Sequence, residues 1–387
     1  MKDRAGRFIL QPAGFRAFIP KSLPPNPPLR YNEELQSLLS RADRSLARLD
    51  GIITVLPNPD LFIAMYVKKE ALLSSQIEGT QASLEGILEF EADLTPRDNI
   101  ASVREVINYI KALDYGIRRL KDLPMSLRLI REIHHILIEG TRGSQRNPGE
   151  FRKSQNWIGP TGAPLSEAAF VPPPPEVVLQ AMSDIETFLH ARDKIPPLVK
   201  IALAHAQFET VHPFLDGNGR VGRLLITFYL VWQEILSRPV LYLSFHLKKH
   251  RTRYYDLLMK VRTEGAWEEW IGFLLEGVVE TSEEATSTAR EIIALKEGMI
   301  ARIYEHAISS IHAVRLIGLL FQKPLVSASD IVAGLALSKE AVSELIKRFE
   351  KAAILTEISG KQRYRRYLFK PYVDLIARGT REKDGQM

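Results

Sequence analysis

"HPFLDGNGRVGR", residues 212–223, packs one histidine, one acid, three glycines, an asparagine and two arginines into a dozen positions. Asn218-Gly219 by itself is an ordinary turn signal. A calcium loop beginning at Asp216 fails, because its sixth position is Val221 where glycine is needed and its twelfth is Thr227 where glutamate is needed. A nucleotide P-loop, G-x-x-x-x-G-K-[ST], is absent, as is the H-E-x-x-H pattern of a zinc helix. A phosphate cradle fits. One helix is expected to end near Val211 and the next to begin near Arg220. Gly217, Asn218 and Gly219 between them can take left-handed or strained backbone angles at little cost and turn successive N–H groups inward. The new helix adds its positive N-terminus at the same spot. Arg220 and Arg223 share a helix face, so two guanidinium forks can converge on neighbouring phosphates. Asp216 offers the hard oxygen that Mg²⁺ prefers, and His212 can accept a proton near neutral pH. Base, metal ligand, nest and charge clamp are the parts of a phosphoryl- or nucleotidyl-transfer site.

Working outward, helical periodicity dominates both flanks. "NEELQSLLSRADRSLARLDGI" repeats leucine at helical spacing. "PNPDLFIAMYVKKEALLSSQIEGT" offers Asp60 as an N-cap and Gly79 as a stop. Helical patterns also cover "SVREVINYIKALDYGIRRL", "SLRLIREIHHILIEG", "EVVLQAMSDIETFLHAR" and the stretch up to about residue 308. Between 143 and 175 turn residues take over, leaving two short β-like pieces, "NWIG" and "AAFV". The first thirty residues are proline-rich and read as an extended arm. From Ile311 the pattern changes again: helix, short turn, helix capped by Ser338, strand, basic tip "KQRYRR", strand. That order is a winged helix-turn-helix.

Composition narrows the function classes. The 387 residues suffice for two or three domains, and 45% hydrophobic residues is the norm for a packed globular protein. With no cysteine, disulfide frameworks and thiolate chemistry are excluded. The opening lacks the apolar core of a signal peptide, and the longest apolar run, "LLITFYLVW" at 224–232, is about half a membrane span. No membrane partner and a cytoplasmic location are expected. Net charge is +6, and the segment from Ile311 onward, with fourteen Lys/Arg and eight Asp/Glu, carries a net +6 by itself. The excess therefore marks one basic module.

The twelve residues match, at every specified place, the signature of the Fic (filamentation induced by cAMP) family, and the similarity extends from the N-terminal helices through "NWIG…AAFVPPPP" to the winged helix. The resemblance implies a mainly α Fic-type helical bundle with a β-hairpin flap and a C-terminal winged helix-turn-helix domain. It also implies AMP transfer from ATP, with Mg²⁺, to a Ser, Thr or Tyr hydroxyl of a protein, itself included. Carried over by position, His212 is the base, Asp216 holds Mg²⁺, Gly217, Asn218 and Gly219 line the nest, Arg220 grips phosphate oxygens and Arg223 takes the γ-phosphate. Gly219 stands where kinase-like relatives carry lysine.

"SSQIEG", Ser74 to Gly79, resembles the family's inhibitory helix, which implies that Glu78 pairs with Arg223 and misaligns ATP; removal of AMP at the same site is the reverse alternative. The expected flap residues Asn156, Trp157, Ile158 and Gly159 would dock an extended target strand by main-chain pairing. Tyr255, beside Tyr254, is the candidate for bordering adenine. The implied organisation is an N-terminal helical region at 1–110 with the inhibitory helix at about 60–79, a Fic domain at 111–275, a connecting helix at 276–310 and a winged-helix domain at 311–387. A DNA-binding regulator with the Fic portion as nucleotide sensor is the alternative class, since Lys347, Arg348, Lys351, Lys361, Arg363, Arg365 and Arg366 could meet phosphates. "SKEAVSELIKR" is a poor set for reading bases, so DNA is the less favoured partner. A homodimer burying the brake is compatible with the pattern.

Overall fold

The computed structural model describes residues 3–380 except 55, 57–58, 142, 161, 163, 309 and 379. The chain opens with an antiparallel hairpin, β1 (Gly6–Leu10) and β2 (Arg16–Pro20), with Phe8 opposite Phe18. The extended arm expected for the first thirty residues therefore begins only after Pro20. Strand-forming "GRFIL" and "RAFIP" flank the turn "QPAGF", and burial fixes them: Phe8, Phe18 and Phe170 pack ring to ring.

The body is helical: α1 (Glu33–Thr54), α2 (Pro59–Ile77), α3 (Leu84–Glu91), α4 (Ile100–Arg119), α5 (Leu127–Ile138), α6 (Pro175–His190), α7 (Pro197–Val211), α8 (Asn218–Trp232), α9 (Ser244–Lys249), α10 (Arg251–Glu264) and α11 (Trp267–Glu305). Side-chain caps start several of them: Ser83 for α3, Asn99 for α4 and Ser126 for α5 each accept from backbone N–H groups of the first turn. Asp60 is not the N-cap of α2. It lies inside the first turn behind Pro59, whose fixed φ and missing N–H suit the first helical position. Gly79 does follow the helix end, at φ +89°.

The apolar run 224–232 forms the body of α8, which packs against α2, α4, α5 and α7 and is buried on all sides. A helix with no solvent face needs no polar stripe. Among the described residues no helix is long and apolar enough to cross a membrane. Two expected boundaries fall inside helices. α4 runs through residue 110, and the 39-residue α11 runs through 275, its buried stripe continuing from Trp267 to Ala289 where α1 lies along it.

The C-terminal segment comprises α12 (Ile311–Gln322), β3 (Leu325–Ser327), α13 (Ala328–Leu335), α14 (Lys339–Lys351), β4 (Thr356–Glu357), β5 (Arg366–Leu368) and α15 (Lys370–Ile376), with an antiparallel sheet in the order β3-β5-β4. Ser338 caps α14, and Val342, Leu345, Ile346 and Phe349 form its buried side. Ser327 and Asp330 make a reciprocal capping box on α13. Residues 381–387 of the expected C-terminal domain lie outside the described residues.

Candidate active site

Helix α7 ends by turning left-handed at His212 (φ 49°, ψ 60°), and α8 starts after a second left-handed residue, Gly217 (φ 77°, ψ 4°). The turn is closed from within: Asn218 Oδ1 accepts from the Phe214 N–H at 2.8 Å while its Nδ2 donates to the Phe214 carbonyl at 2.8 Å. The Asn218 side chain is thus consumed by the loop, and it is the backbone that lines the hollow. Gly219 is helical, not left-handed. A Cβ there would lie 2.2 Å from Glu78 Oε1 and 3.0 Å from Arg223 Nη1, so glycine is needed for close approach of another element.

That element is the end of α2. Arg223, almost fully buried, donates from Nη2 to Glu78 Oε1 at 2.7 Å and to the Ser74 carbonyl at 2.9 Å, and from Nε to Ser74 Oγ at 2.8 Å. Burial works against the charge on both partners, but each outweighs it for the other. The Glu78 carboxyl is held below its ordinary range and the Arg223 guanidinium above its own. One turn further up α2, Glu70 is fully enclosed, its carboxylate accepting from Ser244 Oγ at 2.5 Å and from the Tyr109 hydroxyl at 3.1 Å. Burial pushes it up to about 7.

Arg220 differs from Arg223. It is buried, 3.7 Å from Asp216 and 3.8 Å from Glu105, yet its Nε and Nη1 make no hydrogen bond among the described residues. Buried donors left open in this way fit an anion not present in the chain itself. Asp216 accepts from the Gly217 N–H at 2.7 Å, and its other oxygen faces Gly143, where a Cβ would come within 2.8 Å. One partly exposed carboxylate beside the hollow is a donor set that suits Mg²⁺, which keeps water and other oxygen ligands for its remaining positions.

His212 sits at the rim with Nδ1 unpartnered among the described residues. Burial first, then the charges of Arg262 and Arg152, pushes its imidazole down to about 3, which leaves the ring neutral with an open lone pair on Nδ1, a weaker base than a free imidazole. Sequence reasoning missed what holds this rim in place. Arg152 donates from Nε to the His212 carbonyl at 2.9 Å and from Nη2 to the carbonyls of Pro173 at 2.6 Å and Val211 at 3.3 Å. Asn156 donates to the carbonyls of His212 at 3.1 Å and Phe214 at 3.0 Å. On the other side His134 stacks on Phe214 at 3.7 Å and reaches the Asp216 carbonyl through Nε2 at 3.0 Å, while its Nδ1 accepts from the Gly149 N–H at 2.9 Å. Burial pushes His134 down to about 4, which keeps it neutral with its hydrogen on Nε2. Glu209, pushed up to about 7 by burial, lies one turn before His212 with Oε1 unpartnered among the described residues.

The expected flap hairpin is reduced to one bridge, Ile158 with Phe170, closed by N–H···O bonds of 2.8 and 3.0 Å. Pro160 on one side and Pro172, Pro173 and Pro174 on the other have no N–H to donate, so the ladder does not extend past the bridge. The Asn156 side chain anchors the loop; Trp157 and Gly159 are exposed, and Ile158 is half-buried. Tyr255 is partly exposed, its hydroxyl raised by burial and by the charge of Glu78 at the end of α2. Tyr254 is core: its hydroxyl meets His205 Nε2 at 3.0 Å, and His205 Nδ1 in turn meets the Gly222 carbonyl at 2.9 Å.

Comparison with known proteins places two family patterns along this frame: Fic/DOC family N-terminal at residues 36–118 and Fic/DOC family at 124–230. A probable protein adenylyltransferase of Aquifex aeolicus is 34% identical over 182 residues, covering 46% of this chain and 51% of that protein. The protein adenylyltransferase Fic of Aedes aegypti is 33% identical over 130 residues, 33% of this chain and 23% of its own length. The chain thus spans about half the length of the first relative and about a quarter of the second. The crystal structure of a Fic family protein from Desulfovibrio desulfuricans superposes with a TM-score of 0.59 at 19% identity, over 88% of this chain and 97% of that one, a likeness of fold.

Proposed function

Because the chain belongs to the Fic/DOC family, we propose that it transfers AMP from ATP to a Ser, Thr or Tyr hydroxyl of a protein and releases pyrophosphate. The observation that carries this reading is the hollow itself: a left-handed turn at Gly217 under the N-terminus of α8, open donors on buried Arg220, and a neutral His212 at the rim. The relatives of Aquifex aeolicus and Aedes aegypti, both named as protein adenylyltransferases, support the same activity.

In this reading the hollow takes the triphosphate, Arg220 binds its oxygens, and Asp216 holds Mg²⁺. The metal, when bound, neutralises charge on the phosphates. His212 takes the proton of the target hydroxyl. The hydroxyl oxygen forms a bond to the α-phosphorus, the bond from that phosphorus to the β-phosphate oxygen breaks, and pyrophosphate leaves. Arg152, Asn156 and His134 keep the rim in register, and Tyr255 borders the base. A target segment pairs with the strand edge around Gly159, which selects extended backbone more than sequence.

Glu78 is the brake in this account. While it holds Arg223, that guanidinium cannot take the γ-phosphate, and the α-phosphorus is out of line for attack. The C-terminal segment is read as a winged helix. Its Arg366 turns inward to Asp330 at 3.4 Å and to the Ala92 carbonyl at 3.0 Å, which removes one of the basic residues otherwise available to DNA. The test of the activity is mass spectrometry of lysate proteins incubated with Mg²⁺-ATP and the Glu78→Gly chain. Proteins gaining one AMP, and none gaining it when His212→Ala is added, are the expected result; no AMP-bearing protein with either chain would refute it.

A further inference from the structure

Outside the hollow, on the far side of α9, two histidines and a glutamate converge. His246 lies on α9, and His250 follows four residues later with its N–H bonded to the His246 carbonyl at 3.0 Å, so helical pitch puts both rings on one face. Their ring centroids are 4.7 Å apart. From α11, Glu280 presents Oε2 2.5 Å from His246 Nδ1 and 4.0 Å from His250 Nε2. One donor atom from each of the three residues falls within 4.8 Å of the others. His246 is buried against Phe273, and its Nε2 has no hydrogen-bond partner among the described residues.

We propose that His246, His250 and Glu280 form a site for a divalent transition-metal ion of the zinc class, tying α9 and the start of α10 to α11. Two imidazoles and one carboxylate are the donors such ions select, whereas Mg²⁺ and Ca²⁺ take oxygen. With metal–nitrogen distances near 2.0 Å, a tetrahedral ion holds its donors about 3.3 Å apart. The observed 2.5 and 4.0 Å straddle that spacing. His250 and Glu280 are both partly exposed, so small side-chain rotations equalise the two distances. Lys249 pairs with the second oxygen of Glu280 in the ion-free chain; it is more than half exposed and free to swing into water as the metal arrives. Water fills the remaining coordination position.

The position gives the site a structural consequence. Two residues before His246, Ser244 binds Glu70 of α2, and two residues after it Lys248 donates to Gln76 at 2.7 Å. An ion clamping α9 to α11 therefore stiffens the shelf on which the inhibitory helix rests.

The experiment uses the full chain, stripped with a chelator and dialysed, without nucleotide and with excess Mg²⁺ to occupy oxygen-only sites. Zinc is titrated calorimetrically, and cobalt is followed by its visible absorption. The expected result is one zinc per chain, bands of a four-coordinate cobalt ion with imidazole ligands, and at least ~10-fold weaker binding in both His250→Ala and Glu280→Gln. His250 is partly exposed, so its variant tests the site without emptying the core, and an unchanged unfolding midpoint without metal verifies that. No zinc uptake, or undiminished uptake by His250→Ala, overturns the proposal. Neither readout depends on AMP transfer, so this result stands or falls apart from the activity.

Discussion

Under the proposed activity, replacing Glu78 with glycine should speed AMP transfer. Arg223 gives α2 three hydrogen bonds, and the one to Glu78 Oε1, at 2.7 Å, is the only one between full charges. A hydrogen bond to a charged group contributes roughly 1.5–3 kcal/mol net. If Arg223 takes the γ-phosphate as proposed, ATP has to displace Glu78 first, so the substitution should raise the rate of AMP transfer by roughly 10- to 100-fold. Arg223 keeps both Ser74 contacts and remains in place, so the gain should lie in the rate and not in a collapsed site. The assay is the initial rate of label incorporation from ATP labelled on the α-phosphate, measured for both chains at matched concentration with the unfolding midpoint as a control. Ser74→Ala, which removes a bond from the guanidinium to an uncharged hydroxyl and leaves the ion pair, should give a few-fold gain at most. Equal rates for the wild type and Glu78→Gly would show that the Glu78–Arg223 pair is no brake.

Other expectations follow from the rim and the buried acids. His212→Ala in the Glu78→Gly background should lower transfer at least ~100-fold, the scale of a positioned base, with ATP binding retained in an equilibrium assay. Asn156→Ala should cut transfer about tenfold or more through a loosened rim, while thermal unfolding shows the fold intact; an unchanged rate would remove Asn156 from the positioning set. Glu70 and Glu209, both raised to about 7, take up protons on folding. Their contribution is fully present below the ordinary carboxyl range near 4.5 and is lost as pH rises to about 7. The double variant Glu70→Gln/Glu209→Gln should therefore lose less stability between pH 5 and pH 8 than the wild type, as read by denaturant unfolding. Proton NMR should show the His134, His205 and His212 rings without titration between pH 5 and pH 8; a midpoint near 6.5 for any of the three would contradict its burial.

The hollow was legible because all of its parts lie within twelve consecutive residues and act through backbone geometry that glycine and a helix start impose locally. The contact between the end of α2 and Arg223 was legible as well, although Ser74 and Glu78 meet Arg223 from nearly 150 positions away. There the resemblance supplied the pairing, which periodicity alone did not contain. Arg152 and His134 carried no such signal, and Asn156 was read as a docking residue, not as a support of the rim. Each acts by donating to carbonyls brought near by the fold, and nothing local distinguishes a buried arginine in a turn-rich stretch from a solvated one. Gly219 was read as a left-handed turn residue, whereas the structure uses it for clearance against Glu78. The N-terminal hairpin was hidden by prolines that dominate the composition after residue 20. Its two strands are short, and what fixes them is contact with Phe170, far along the chain.

On the proposed activity, the hollow directs attack at the α-phosphorus of ATP. The most direct measurement incubates Glu78→Gly protein in parallel with ATP labelled on the α- or the γ-phosphate and follows label retained on protein. The account predicts retention from the α-label alone and its loss with His212→Ala. Retention from the γ-label alone, or α-label retained equally by the His212 variant, would contradict it.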